Sequence, residues 1–290
     1  MISLTYPKRQ SIAFSDTMIR LYNLAKNTLD NEVMFDLSKS ESLTPFGIIM
    51  LTSTIDECSR RGKKCFYVEP KSATLKDFFG DIGFNQLFHL DSGKNDRVKM
   101  QTGTFQLRRV TGLDALIAET LTELIGNQVN ISPGLNYSLR LSLNELMTNV
   151  IAHSGVEDYY VCAYTYPNRR QLRLCIADRG IGILRSLNRS KKYGFMRDSH
   201  DAIVRATTPG VSSRPGRAGL GLSHLKDFAK VNEGQMCIIS GRGKVFWKYD
   251  RGEMLKQRMI KPFTGTVVKS VINTDKEGLY FLVGEENFLF

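Results

Sequence analysis

The first hundred residues alternate short apolar runs with longer stretches of helical periodicity. In chain order we predict a buried strand at 32–38, a helix at 44–64, a strand at 65–70, a short helix at 72–83 and a short strand at 86–90. The longer helix has Thr44 at its N-cap position, Pro45 in its first turn and a basic end that complements the helix dipole. Strands that alternate with helices indicate a small α/β layer structure.

A polar, turn-rich stretch at 90–100 favours a domain boundary. Beyond it we predict strands at 104–110, 160–166, 171–178, 235–240, 244–249 and 265–272, and helices at 113–129, 132–154 and 222–231. Helices followed by antiparallel strands indicate an α+β sandwich. We therefore predict an α/β domain over 1–100, a second domain over 101–272 and a C-terminal tail over 273–290.

The composition, with 42% hydrophobic and 24% charged residues, is typical of a globular protein. No apolar run is long enough to cross a bilayer, and the first ten residues lack the apolar core of a signal peptide. The five cysteines are odd in number and form no Cys-x-x-Cys pair, which argues against a disulfide framework and a zinc site. We expect a cytoplasmic protein that does not bind a membrane.

The formal net charge of +11 suits a polyanionic partner, such as a nucleotide, a nucleic acid or an acidic protein. The basic residues are scattered and form no dense block, so a solvated basic surface explains the charge equally well. The charge alone therefore leaves the class of partner open.

The predicted helix at 132–154 carries Leu141, Glu145, Asn149 and His153 at steps of four, and all of these except Leu141 are polar. Residues four apart lie on one face of a helix, and the apolar neighbours leave little of this helix free to face water. Polar groups on a partly buried face need polar partners. A carboxylate can activate water and an amide oxygen can bind Mg²⁺, so metal and water are natural partners here.

Three glycine-containing stretches follow this helix. Asp178 ends an apolar strand and is followed by Gly180 and Gly182, a pattern in which a rigid acceptor adjoins a loop that can approach a flat ligand closely. The glycine-rich loop that begins at 210 leads directly into a helix, where backbone N–H groups form an anion site. The third stretch places Gly265 and Thr266 at the start of a strand. Each pattern taken alone is also typical of an ordinary turn.

In this order the motifs Glu-x-x-x-Asn-x-x-x-His, Asp-x-Gly-x-Gly, Gly-Leu-Gly-Leu and Gly-Thr resemble the GHKL ATPase superfamily. This superfamily includes sensor histidine kinases, gyrase-type topoisomerases, mismatch-repair ATPases, heat-shock chaperone ATPases and anti-sigma serine kinases. The resemblance covers residues from about 110 to 272. It implies a GHKL-type (Bergerat) α/β sandwich that binds ATP and Mg²⁺.

The resemblance also implies roles for the residues of the first two motifs. Asn149 would coordinate the Mg²⁺ that bridges the ATP phosphates, and Glu145 would orient the attacking water or assist an acceptor. Asp178 would accept a hydrogen bond from the adenine amino group. Gly180 and Gly182 would shape the adenine pocket.

The remaining motifs would serve the phosphates and the far side of the adenine. Thr266 would contact the adenine through a water molecule. Gly219 and Gly221, with Leu220 between them, would offer backbone N–H groups to the phosphates. His153 would lie near the phosphates, and a histidine packed at the end of a helix is an equally good interpretation.

The segment 184–217 corresponds to the mobile ATP lid of the family, and Arg214 or Arg217 could reach the γ-phosphate when the lid closes. Kinases of the family often have Gly-x-Gly-Leu-Gly-Leu here, but Arg217 occupies the position of the first glycine. No helix pair with a phosphoacceptor histidine precedes the ATPase part, which argues against an ordinary sensor histidine kinase.

The stretch 33–90 resembles a STAS domain, the fold of anti-anti-sigma factors. Those proteins carry a hydroxyl phosphoacceptor before the helix, whereas the corresponding position here is close to Phe46. The resemblance therefore implies a docking module for a partner protein rather than a phosphorylation target. A generic α/β domain is the alternative.

Three functions fit the sequence. The first is a regulatory ATPase with Mg²⁺-dependent ATP hydrolysis, in which nucleotide controls lid closure or assembly into a homodimer. The second is an anti-sigma-type kinase that phosphorylates serine or threonine on a partner. The third is a non-catalytic, nucleotide-gated docking protein, with nucleic acid as a partner that no recognised motif supports.

Overall fold

The computed structural model describes residues 1–9, 11, 13–87, 103–153, 155–156, 158–190, 193–211, 221–275 and 280, with the backbone alone for 152–153. These residues form eight strands and nine α-helices. The strands make up two sheets, one parallel and one antiparallel. The fold is therefore mixed α/β, as predicted. No helix among the described residues is both long enough and apolar enough to span a membrane.

The N-terminal part contains a parallel sheet of three strands with the spatial order β1-β2-β3. Its elements are β1 (Ile2–Thr5), α1 (Phe14–Asn27), β2 (Glu32–Asp36), α2 (Pro45–Arg60), β3 (Lys64–Val68), α3 (Ala73–Asp81) and α4 (Phe84–Leu87). Both crossovers advance in one direction across the sheet, so right-handed connections place α1 and α2 on the same face. The predicted strand at 86–90 is wrong at its start, because Gln86 and Leu87 belong to the short helix α4.

The second part contains an antiparallel sheet of five strands with the order β4-β5-β6-β8-β7. Its elements are β4 (Thr104–Thr111), α5 (Ala115–Gly126), α6 (Pro133–His153), β5 (Asp158–Tyr166), β6 (Gln171–Asp178), α7 (Ile183–Asn188), α8 (Ser199–Ala206), α9 (Gly221–Val231), β7 (Gln235–Lys248) and β8 (Glu253–Asn273). The strands predicted at 235–240 and 244–249 are one strand, β7, with an irregular register between Ser240 and Gly243. The last strand is longer than predicted, since β8 begins at Glu253.

Side chains alternate between two different cores along each central strand of the larger sheet. On β6, Leu174 and Ile176 pack among helices α5 to α9, whereas Cys175 and Ala177 belong to a core that also contains residues of α1, α2 and the small sheet. The described residues therefore form four layers: small sheet, helices α1 and α2, large sheet, and helices α5 to α9. One continuous core crosses the predicted domain boundary.

One of the two predicted helix caps is confirmed. The Ser132 hydroxyl accepts a hydrogen bond from the Leu135 N–H at 3.1 Å, and Pro133 is the first residue of α6. Thr44 differs, because its side chain makes no capping hydrogen bond to α2. In the predicted C-terminal tail, Tyr280 exchanges backbone hydrogen bonds with Asn130 and Ser132 beside the start of α6.

Candidate functional site

A cavity of about 120 Å³ lies between the large sheet and helices α6, α7 and α8. This is well above the roughly 10–15 Å³ that one water requires on the same measure. Five of the predicted site residues line it, namely Glu145, Asn149, Asp178, Gly182 and Thr266. The rest of the wall is mainly apolar and consists of Leu146, Val150, Ile176, Ala177, Ile181, Ile183, Ser186, Leu187, Ala206, Val211, Leu222 and Val268. The cavity is thus an apolar pocket with a few polar groups, as small-molecule sites generally are.

Asp178 is the buried carboxyl group of this cavity. It ends β6 at a position whose side chain points toward α5–α9, and it is only 6% exposed. Its Oδ1 accepts a hydrogen bond from the Gly180 N–H at 2.7 Å. Burial raises the pKa of Asp178 to about 7, although hydrogen bonds from the backbone of Gly180 and Thr266 oppose the shift. Near neutral pH this carboxyl group is partly ionised, and its ionised form can accept a hydrogen bond from a ligand that enters the apolar pocket.

Gly182 forms a close contact between the loop after Asp178 and strand β7. Its φ of +78° is a left-handed conformation, and a Cβ at this position would lie 2.7 Å from the Ser240 Oγ. The Ser240 hydroxyl accepts a hydrogen bond from the Ile183 N–H at 2.8 Å and donates one to the Gly265 carbonyl at 2.9 Å. Ser240 therefore joins the loop to both closing strands. The sequence analysis missed it, although it is a lone hydroxyl at the end of an apolar run.

Gly265 brings β8 unusually close to the end of β6. A Cβ on Gly265 would lie 2.2 Å from the carbonyl oxygen of Asp178, and its φ is +131°. No other residue type fits this position without moving one of the strands. The next residue, Thr266, pairs with Asp178 across the two strands and lines the cavity. The Gly-Thr motif thus places a hydroxyl side chain beside the buried carboxyl group.

Helix α6 forms the opposite wall with Glu145 and Asn149, both of them half-buried. The Gly221 N–H, at the start of α9, donates a hydrogen bond to the Glu145 Oε2 at 2.7 Å. A Cβ on Gly221 would lie 3.0 Å from the Glu145 Cβ, so a glycine permits this approach. Leu141, at the other end of the predicted stripe, is 47% exposed and lies outside the cavity.

Several predicted site residues fall outside the described part of the chain. These are Arg214, Arg217, Gly219, Leu220 and the side chain of His153. The described part of the predicted lid forms α7 and α8, and its Ser186, Leu187, Ala206 and Val211 line the cavity. The sequence analysis did not select these four residues, since three apolar side chains and one serine in a polar, basic segment are a weak signal.

The side-chain oxygen atoms that line the cavity suit Mg²⁺ better than other metal ions. Among the residues that the structure describes, no group of three or more His, Cys, Asp or Glu side chains could bind a metal. Glu145 and Asn149 instead provide oxygen atoms one helical turn apart. Mg²⁺ commonly uses one or two protein oxygens and takes its other ligands from water and phosphates. The residues present therefore fit Mg²⁺ delivered together with a phosphate-bearing ligand.

Arg179 connects the site to the N-terminal layer. It follows Asp178 and points to the opposite face of the sheet, where its guanidinium lies 3.2 Å from Asp158 and 3.5 Å from Glu57 of α2. It also lies over the ring of Tyr160, 5.5 Å from the centroid. Two adjacent residues thus serve the cavity and the layer contact, and the sequence pattern did not predict the second role.

No family model matches the sequence, and a search of the curated proteins finds no significant match. The resemblance to the GHKL superfamily consequently depends on the four sequence motifs alone.

Proposed function

We propose that this chain binds ATP with Mg²⁺ in the cavity between β6, β8 and α6, and that it is a regulatory ATPase of the GHKL type. The observation that carries the proposal is the position of Asp178. It is a buried carboxyl group in an apolar pocket, and Glu145 and Asn149 face it from the opposite wall. A flat, apolar base with an exocyclic amino group matches the first wall, and a charged phosphate chain matches the second.

The adenine end of the proposal rests on complementary hydrogen bonding. The Asp178 carboxylate accepts from the amino group, while Ile176, Val268 and Leu146 provide apolar contacts for the ring. Gly182 and Gly265 allow the loop and β8 to lie close enough to form a narrow pocket. Ser240 holds both segments in this position through its two hydrogen bonds. The pocket is therefore held in shape before the ligand arrives.

The phosphate end of the proposal involves α6 and the start of α9. When bound, Mg²⁺ would neutralise phosphate charge and order the phosphate oxygens. Asn149 provides an amide oxygen for the ion. Glu145 accepts a hydrogen bond from the Gly221 N–H, so its carboxylate occupies the position at the N-terminus of α9 where an anion would bind. On this proposal the phosphates take that place, and Glu145 becomes available to orient water for attack.

The STAS resemblance over 33–90 and the protein partner it implies stay predictions. The ATPase and kinase alternatives share every residue named above and differ only in the acceptor of the phosphoryl group.

The experiment that tests the proposal compares Glu145→Gln, Asp178→Asn and the control Glu119→Gln, whose side chain is exposed on α5. The first variant should keep ATP binding and lose about 10²–10⁴ in turnover, since it removes a general base. The second should weaken ATP binding roughly tenfold or more, because a buried charged acceptor is lost. The control should match the original chain in both measurements.

Calorimetry with Mg²⁺-ATP measures binding, and free phosphate and labelled protein are followed in one assay with cell lysate. Unchanged ATP turnover in Glu145→Gln together with unchanged ATP binding in Asp178→Asn would contradict the proposal. Label that accumulates on a partner protein rather than as free phosphate would replace the ATPase with the kinase.

A further inference from the structure

A second cavity, of about 530 Å³, lies on the other face of the large sheet. It is bounded by the sheet on one side and by the N-terminal ends of α1 and α2 on the other. Four basic residues line it, namely Arg173, Lys244, Lys248 and Lys269. No acidic side chain of the described residues is part of this lining. The cavity is therefore distinct from the ATP cavity in position and opposite to Asp178 in charge.

The strand alternation explains why the four cations meet. Arg173 lies two residues from Cys175 on β6, and Lys269 lies two residues from Val267 on β8, so each basic side chain shares a sheet face with its apolar neighbour. That face points toward α1 and α2. On β7 and β8, the Lys244 ammonium lies beside Gln257, and Lys248 pairs with Glu253 across the hairpin. The cations come from three neighbouring strands and converge on one space.

Most of this positive charge has no carboxylate partner. Of these four cations, only Lys248 has a carboxylate of a described residue within 4 Å, which is Glu253 at 3.5 Å. Lys244 donates to the neutral Gln257 Oε1 at 3.0 Å, and Arg173 donates to the neutral Gln171 Oε1 at 2.9 Å.

Lys269 likewise meets neutral groups. Its ammonium donates to the Ser15 hydroxyl at 3.3 Å and lies 4.3 Å from the ring centroid of Phe46. The nearby Asp16 is held by the Gln257 side chain at 2.9 Å and the Ile260 N–H at 3.0 Å, and it is not part of the lining.

Burial makes this arrangement costly without an anion. Lys244 is only 9% exposed, and burial lowers its pKa and also that of Arg173. Buried cations without carboxylate partners are unfavourable, and the low local dielectric strengthens their attraction for any anion that enters.

The start of α2 adds to the positive potential. Pro45 and Phe46 line the cavity, and the first turn of this 16-residue helix contains no acidic residue. The Thr44 side chain does not cap it. Free N–H groups at a helix start favour an anion. This feature supports the basic cluster and does not replace it.

We propose that this cavity binds a small organic polyanion that carries at least two phosphoryl or carboxylate charges. Lys244, Lys269 and Arg173 contact the charged groups, and Phe46 and Phe246 contact the apolar body of the ligand. The size of the space and its position between sheet and helices suit a small molecule rather than a chain of nucleic acid.

The test uses two probes, inorganic pyrophosphate and citrate, which distinguish the phosphoryl and carboxylate arms. Binding to the full chain is measured by calorimetry, with KCl added to keep the ionic strength constant. Chemical acetylation of lysines, read by mass spectrometry, locates the probe. At least one probe should protect Lys244 and Lys269 and leave the exposed Lys64 unprotected.

Two single variants and two controls complete the test. Lys269→Gln and Lys244→Met should each weaken binding of that probe roughly tenfold or more, since each removes a charge-assisted contact. Lys64→Gln makes the same charge change outside the cavity and should bind like the original chain. Asn149→Ala, in the other cavity, should leave the protection of Lys244 and Lys269 unchanged.

The unliganded variants give an independent measurement. Removing a buried ammonium that has no carboxylate of a described residue within 4 Å should leave the melting temperature of Lys244→Met unchanged or raised. Binding of neither probe, equal protection of Lys64, or loss of protection in Asn149→Ala would overturn the proposal. If Lys244→Met fails to fold, probe binding by Lys269→Gln, at a partly exposed position, and the labelling of the original chain still decide the outcome.

Discussion

Asp178 shows how the burial of one ionisable residue makes stability depend on pH. Its carboxyl group is buried among apolar side chains, and its pKa is raised to about 7 from an ordinary 3.8. Folding therefore favours the protonated form. The contribution of this group to the free energy of unfolding is complete below about pH 4 and is lost as the pH rises through 7.

We accordingly expect Asp178→Asn to become more stable relative to the original chain as the pH rises from 4 to 8. The difference should reach a few kcal/mol, because the amide carries no charge to bury. Urea denaturation at several pH values measures it. Asp227→Asn, on the exposed side of α9, makes the same substitution without the burial. The same pH dependence in both variants would contradict the expectation.

At the scale of elements, the site depends on two close backbone contacts that leave no room for a side chain. β8 passes the end of β6 at Gly265, and the loop before α7 passes β7 at Gly182. Both glycines were selected from sequence as members of motifs. The structure adds the reason, which is the distance between backbones.

Gly265→Ala should lower the free energy of unfolding by several kcal/mol, because its Cβ would overlap the Asp178 carbonyl. Gly252→Ala is the matched control. Gly252 also has a left-handed φ, of +64°, but a Cβ there would meet nothing within 4 Å. It should cost about 1–2 kcal/mol from backbone strain alone. Denaturant titration of both variants gives the comparison, and equal costs would show that the close approach of β8 has no energetic consequence.

At the scale of the whole molecule, the N-terminal layer and the large sheet share a core and a cluster of charges. Asp158, only 3% exposed, lies 2.6 Å from Arg60 of α2, 2.9 Å from Arg109 of β4 and 3.2 Å from Arg179. Asp56 contacts Arg109 and Glu57 contacts Arg179, so three carboxylates belong to this cluster. These contacts cross the predicted boundary between the two domains.

Asp158→Asn should destabilise the protein by about 3–5 kcal/mol, since it leaves three guanidinium groups around a neutral side chain. The exposed ion pairs of Glu41 with Lys8 and Arg9 provide the control. Glu41→Gln should leave the unfolding midpoint nearly unchanged, because exposed ion pairs contribute little to stability.

Calorimetric scans should show a single unfolding transition in both variants, because the two layers share one core. Two separate transitions, with only one of them shifted by Asp158→Asn, would mean that the layers unfold independently.

Local patterns determined a large part of this structure. Periodicity placed α2, α5, α6 and the central strands within a few residues, and Ser132 was found because capping involves neighbouring residues only. The same local signals selected Glu145, Asn149, Asp178, Gly182 and Thr266, which line one cavity. Spacing along a helix or strand is sufficient to decide which side chains share a face.

Only the tertiary structure decided what each face meets. The apolar side chains on both faces of β6 predict burial, but they do not reveal that α1 and α2 cover one face. Arg179, Asp158 and the basic lining of the second cavity are scattered in sequence and converge because distant strands pair. Ser240 likewise gains its role from segments 25 and 57 residues away. Pairing and layer packing are long-range interactions, and a pattern of neighbouring residues carries no information about them.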